Sequence, residues 1–187
     1  MHDVISDCRV VARNFYGQLR VYDMDNGDGL GDHRQLMHGK INHGEQILSE
    51  QYRRKPSTYY CPGTGIGDLL ADGQEGVPRR IGILGLGCGT LAAYGRKGDV
   101  VKLYEINPLV VELATTQFTY LADTPARVET VLGDGRLMLE REPDQHFDVM
   151  VMDAFSGDSV PVHLITREAF QMYFRHLKPD GILAVNI

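Results

Sequence analysis

Four short stretches of this chain carry residues that can do chemistry together. Gly85-Leu86-Gly87-Cys88-Gly89-Thr90 follows directly on the apolar run 81–84. Glycines let a backbone turn sharply and approach a ligand closely. Glu105 stands at the end of the next apolar run, 100–104. A carboxylate there can accept both hydroxyls of a ribose. Asp134, in Gly133-Asp134-Gly135-Arg136, closes a third run, 128–132, where it can accept a hydrogen bond from an exocyclic adenine amine. Asp153 closes a fourth, 147–152. A charged group after a buried strand needs a reason to be there, and the functional one is a carboxylate facing a reacting centre. Each feature has a plain structural alternative. Any tight strand-to-helix turn favours glycine, Asp134 suits a turn or a helix cap, and Asp153 suits a cap or a loop hydrogen bond.

These residues need a frame that brings strand ends to one edge. Five apolar runs (81–84, 100–104, 128–132, 147–152 and 182–187) alternate with helical segments. That alternation predicts a parallel sheet with helices on both faces. The clearest helix is expected over 108–121, with Asn107 as N-cap and Pro108 at its first position. A helix is expected directly after the glycine run. Another starts near Thr166 and ends at Pro179-Asp180-Gly181. Residues 1–50 read instead as a small antiparallel β unit, with strands on either side of Asn14-Phe15-Tyr16-Gly17 and another pair between His33 and Leu48. Residues 51–78 connect the two, and 79–187 form the nucleoside-binding domain.

Composition narrows the class. Nineteen Lys and Arg against 25 Asp and Glu give a net charge of -6, which argues against nucleic acid as a partner. No run approaches the ~20 apolar residues of a membrane span, and the first residues lack the basic-then-apolar pattern of a secretory signal. Three scattered cysteines fit neither a disulfide framework nor a CxxC metal site. A cytoplasmic protein without membrane attachment is expected. Thr90 stands where a dinucleotide fingerprint needs a third glycine, which lowers an NAD reading. His38 and His43 invite a metal, but five positions apart on one strand they would face opposite ways unless a turn intervenes. No metal is expected.

Taken together, the glycine run, Glu105-Ile106-Asn107-Pro108, Gly133-Asp134-Gly135 and Met152-Asp153-Ala154-Phe155 resemble the spermidine synthase group of aminopropyltransferases. Asn14-Phe15-Tyr16-Gly17-Gln18-Leu19, Leu36-Met37-His38-Gly39 and Tyr59-Tyr60 add to that resemblance, and the stretch from Val160 to Phe170 is typical of the group's divergent branch. The resemblance implies an α/β fold with the Rossmann-like parallel sheet of S-adenosylmethionine-dependent methyltransferases. It implies transfer of an aminopropyl group from decarboxylated S-adenosylmethionine to a small-molecule amine. Gly85, Gly87, Cys88, Gly89, Glu105, Ile106, Asp134, Gly135 and Asp153 would hold the donor. Asp153 would orient the amine and take its proton. Tyr60, His43, Gln46 and Asp158 would contact the acceptor.

Three departures keep intact S-adenosylmethionine, and hence methyl transfer, open as an alternative, along with a non-catalytic binding role. Cys88 stands where the synthases carry an acid that meets the donor's amine. His38 replaces the acid of a Leu-Asp-Gly turn. Gln51, Arg53, Arg54 and Lys55 make basic a stretch that is acidic in the synthases. The sequence ends inside the fifth strand, where this fold has seven. The expectation is a chain incomplete at its C-terminus, whose edge strand invites pairing with a second copy as a homo-oligomer.

Overall fold

The structure is a computed structural model that describes residues 8–25, 27–74, 76–155 and 160–186. Its first four strands, β1 (Cys8–Asn14), β2 (Gly17–Asp25), β3 (Asp32–His38) and β4 (Ile41–Ile47), form one antiparallel sheet in sequence order. Alternation explains its packing. Leu19 and Val21 on β2 and Leu36 on β3 point to one face and are fully buried. A lead-in follows, with a 3-10 turn at Thr58–Tyr60 and the helix α1 (Gly65–Ala71), which Thr64 caps by accepting from Gly67 N.

The second sheet holds β5 (Arg80–Leu84), β6 (Val100–Glu105), β7 (Arg127–Leu132), β8 (Phe147–Met152) and β9 (Leu177–Val185). All its pairings are parallel, in the order β7-β6-β5-β8-β9. Helices α2 (Pro108–Thr116), α3 (Tyr120–Asp123), α4 (Gly135–Arg141) and α5 (Arg167–His176) fill the crossovers. The architecture is therefore α/β, a parallel sheet with a small antiparallel sheet before it. One core runs from Leu19, Val21 and Leu36 to Ile81, Ile83, Val101, Leu103, Val149 and Val151, and takes in α2 through Val110 and Leu113. The other packs α4 and α5, through Leu139, Met172 and Tyr173, on the face carrying Tyr104, Met150 and Met152. Among the described residues no helix is long and apolar enough to cross a membrane.

Three local expectations are corrected. The glycine run leads into a five-residue 3-10 helix, Thr90–Tyr94, and not into an α-helix. The helix expected over 108–121 breaks between Thr116 and Tyr120. There Arg34 donates to Gln117 O at 2.6 Å and Gln46 Oε1 accepts from Thr119 N at 2.9 Å, so the antiparallel sheet takes over the backbone groups at the break. The last helix ends at His176, before Pro179-Asp180-Gly181. Leu177 already pairs with Phe147, and the register then jumps to Val149 opposite Ile182. The proline turn becomes a bulge in β9, a place where a residue without an N–H is tolerated.

Candidate functional site

A cavity of about 480 Å³ opens at the C-terminal ends of the parallel strands, between them and the antiparallel sheet. Ligands in open α/β sheets bind at this edge. The strand order sets the sequence of groups along it: Asp134 after β7, Glu105 on β6, Gly85 and Gly87 after β5, and Asp153 after β8. All five line the cavity, as do Ile106 and Gly135.

Glu105 is held by backbone. Its Oε2 accepts from Leu86 N at 3.1 Å and its Oε1 from Asn107 N at 2.8 Å. Burial pushes its pKa up, against the pull of those N–H groups. The Ile106 N–H also bears on the carboxylate, which keeps acceptor capacity for a ligand hydroxyl. Asn107 caps α2 as expected, accepting from Leu109 N at 3.0 Å. The same oxygen receives Asn14 Nδ2 at 2.6 Å, tying β1 to the end of β6.

At Asp134 the structural alternative and the cavity position coincide. Oδ1 caps α4 by accepting from Leu137 N at 3.0 Å, and Oδ2 lies 2.8 Å from His163 Nε2. His163 also lines the cavity, from a 3-10 turn at Val162–Leu164. The sequence reading placed it in the Val160 to Phe170 stretch but gave it no role in the site.

Asp153 is half-buried between two neutral donors. The Tyr60 hydroxyl donates to Oδ2, and Asn186 Nδ2 donates to Oδ1 at 2.7 Å. Burial pushes its pKa up to about 6, while both hydrogen bonds pull the other way. Asn186 was missed. The strand-end rule that marked Asp153 points to it as well, because it follows the fifth strand of the same sheet.

The glycines serve the protein's own packing as much as any ligand. A Cβ on Gly85 would lie 2.3 Å from Asp153 O, and one on Gly87 would lie 2.4 Å from His43 O. Gly85 at φ +101 and Gly87 at φ +54 also need the left-handed region. Cys88 and Gly89 are not among the lining residues. Cys88 is buried, with Sγ 3.1 Å from Thr90 Oγ1 and packed against Gly44, and burial pushes its thiol up to about 12. Gly89 lies against Leu121. The expectation that these two touch the donor is corrected: the turn carries them into the core.

The antiparallel sheet supplies the facing wall through Tyr16, Leu19, His38 and His43. A turn does intervene between the two histidines, and their rings sit 5.3 Å apart on neighbouring strands. His38 Nε2 lies 2.8 Å from Tyr16 O. Burial, with His38 beside it, pulls the His43 pKa down to about 4, so its ring is neutral at pH 7. Tyr60 is buried and reaches the site only through Asp153. Gln46 is a correction. It is fully buried, donating to Arg53 O and Thr119 Oγ1 at 2.7 Å each, and it does not line the cavity. Asp158 lies outside the described residues.

No family model matches the chain. A polyamine aminopropyltransferase of Vibrio vulnificus is 33% identical over 119 residues, 58% of this chain and 38% of that protein. An N-terminal histidine N-methyltransferase of Emericella nidulans is 31% identical over 128 residues, 63% of this chain and 22% of that protein. Among solved structures, a probable spermidine synthase from Corynebacterium glutamicum superposes with a TM-score of 0.74 at 20% identity, over 94% of this chain and 62% of that one. The chain thus spans less than two thirds of each of these proteins. At 20% identity the superposition speaks to fold alone. The chain is similar in sequence to the Vibrio aminopropyltransferase over 58% of its length, and similar in fold to the Corynebacterium probable spermidine synthase over 94%.

Proposed function

We propose that this chain moves an aminopropyl group from decarboxylated S-adenosylmethionine to a small-molecule amine, with Asp153 as the base. The observation that carries the reading is the state of Asp153. It is a half-buried carboxylate on the cavity wall, held by Tyr60 and Asn186, and burial raises its pKa to about 6. An ammonium cannot attack carbon, and a base works best with a pKa near the working pH. Asp153 attracts the cationic amine, orients it through its free lone pairs and takes its proton.

The rest of the edge fits a nucleoside. A cavity of about 480 Å³ lies in the usual range for small-molecule sites. On this reading the backbone-fixed oxygens of Glu105 take the ribose hydroxyls and Asp134 takes the adenine amine. Gly85, Gly87, Ile106 and Gly135 form the floor. The sulfonium donor supplies an alkyl carbon made electrophilic by its positively charged sulfur. The protein's part is alignment, together with a field of three carboxylates that favours cations before reaction. His43, a neutral ring on the opposite wall, is proposed as an acceptor contact.

Methyl transfer from intact S-adenosylmethionine is the second reading. The similarity to the Emericella methyltransferase favours it. So does position 88, which offers the donor tail neither an acid nor any side chain in the cavity. One experiment separates the two. The chain is incubated with either donor and a panel of amines, and the nucleoside product is identified. Release of methylthioadenosine is expected; S-adenosylhomocysteine would move the assignment to methyl transfer. Nucleoside binding with neither product would leave a binding role. Asp153→Asn is expected to lower turnover by roughly 10²–10⁴-fold while nucleoside binding stays nearly unchanged. Full turnover in that variant removes Asp153 as the base.

A further inference from the structure

A carboxylate acts as a directed base only if it is kept from rotating and kept ionised. The two oxygens of Asp153 are gripped from different elements. Tyr60 reaches Oδ2 from the lead-in segment, and Asn186 reaches Oδ1 from the end of β9. Asn186 is itself pinned. Its backbone N–H donates to Met152 O at 2.9 Å, one step beyond the pairing of Met152 with Val185. Asp153 N donates in turn to Leu84 O at 2.8 Å. The strand ends of β5, β8 and β9 therefore fix the two side chains against each other.

We propose that Asn186 is a positioning residue for Asp153, holding Oδ1 so that the remaining lone pairs face the cavity and the carboxylate stays charged when the amine arrives. This rests on the reading of Asp153 as the base. The choice of an amide suits the task. A neutral N–H donor favours the ionised form of its partner without cancelling the charge, so Asp153 still attracts a cation. A lysine in its place would hold the carboxylate but neutralise its field. The amide does not titrate, and the titratable groups bearing on Asp153 among the described residues are Tyr59 and Tyr60. Burial pushes both phenols up, so neither changes charge near neutrality. Burial alone would drive Asp153 towards the neutral acid, and an acid already protonated cannot take the amine's proton.

The test uses Asn186→Leu, similar in size but without a donor, and Asn186→Gln, which keeps the amide on a longer arm. Two readouts are followed on the full chain: the acid limb of the kcat–pH profile, and the titration of the Asp153 carboxyl by carbon NMR with methylthioadenosine present. In Asn186→Leu both are expected to move up by about one pH unit, with KM for the donor little changed. Asn186→Gln is expected to return part of that movement. Should the leucine variant fail to fold, Asn186→Ala carries the same expectations. An unmoved titration in the folded variants overturns the inference even if turnover falls, because packing alone then explains the loss. A titration that moves while the acid limb stays put upholds the positioning role and removes Asp153 as the base.

Discussion

The two sheets meet the cavity with different chemistry. The parallel sheet brings Glu105, Asp134 and Asp153 to its edge. The antiparallel sheet brings Tyr16, Leu19, His38 and His43, which are rings and an aliphatic chain with no carboxylate. Their ion pairs differ in the same sense. Arg34 and Asp23 on the antiparallel sheet are partly open to solvent, with side chains 14% and 32% exposed. Arg79 and Asp99, beside the N-terminal ends of β5 and β6, are 8% and 1% exposed. Of these two pairs the one beside the parallel sheet is the deeper, and at the cavity itself the parallel sheet supplies the carboxylates while the antiparallel sheet supplies rings.

The largest expected effect tests that contrast on the ion pairs. Arg79 donates to Asp99 Oδ2 at 2.9 and 3.2 Å, and also to Leu70 O, Asp72 O and Tyr94 O. Arg79→Met removes the charged partner of buried Asp99, which keeps only the backbone N–H groups of Arg79 and Arg96, and takes a donor from Leu70 O and Tyr94 O, at an expected loss of about 3–5 kcal/mol in urea unfolding. Arg34→Met removes a bidentate contact to Asp23 and a bond to Gln117 O, but in a wetter place, and about 1 kcal/mol is expected. Equal losses would break the comparison.

Glycines sharpen it next. Gly39 turns β3 into β4 at φ +61 with nothing within 4 Å of an added Cβ, while Gly85 at φ +101 meets Asp153 backbone. Gly39→Ala is expected to cost about 1 kcal/mol from backbone strain alone. Gly85→Ala adds a backbone clash at the cavity edge, and about 3 kcal/mol is expected. Its nucleoside binding should fall too, since the strand ends must spread to admit the methyl. Nucleoside calorimetry beside thermal melts of both variants checks this.

The same division governs how much could be read from the chain. Apolar runs marked the parallel strands, turn residues marked the antiparallel ones, and the strand-end rule marked Glu105, Asp134 and Asp153, because these depend on residues near one another in sequence. What escaped depends on long-range contacts. The break at 117–119 is made by Gln46 and Arg34, some 70–80 positions away. That contact also uses up Gln46, which was expected at the acceptor. Cys88 looked like a donor contact until Gly44, on another sheet, gave its thiol a place to bury. Tyr60 was marked for the substrate but spends its hydroxyl on Asp153. In each case a local motif was right about position along the chain and silent about which side faces the cavity.

The last comparison is a pair of opposite pH slopes. Asp153 titrates at about 6 against an ordinary 3.8. The folded state therefore binds that proton more tightly than the unfolded chain does. Its charged form costs stability fully above about pH 6, and the cost fades as pH falls to about 3.8. A difference of two pH units corresponds to on the order of 2–3 kcal/mol. Asp153→Asn is thus expected to be more stable than the parent at pH 7.5 by up to that amount, with the advantage vanishing near pH 4. Asp23 runs the other way, because Arg34 holds its carboxyl below the ordinary value. Its contribution is present above the unfolded pKa and is lost as pH falls, so Asp23→Asn is expected to be the less stable protein at pH 7.5. Melting both variants from pH 4 to 7.5 compares the signs directly. If Asp153→Asn were destabilising at neutral pH, the carboxylate would be held by favourable contacts and not strained by burial, and its raised pKa could not be what fits it to take a proton.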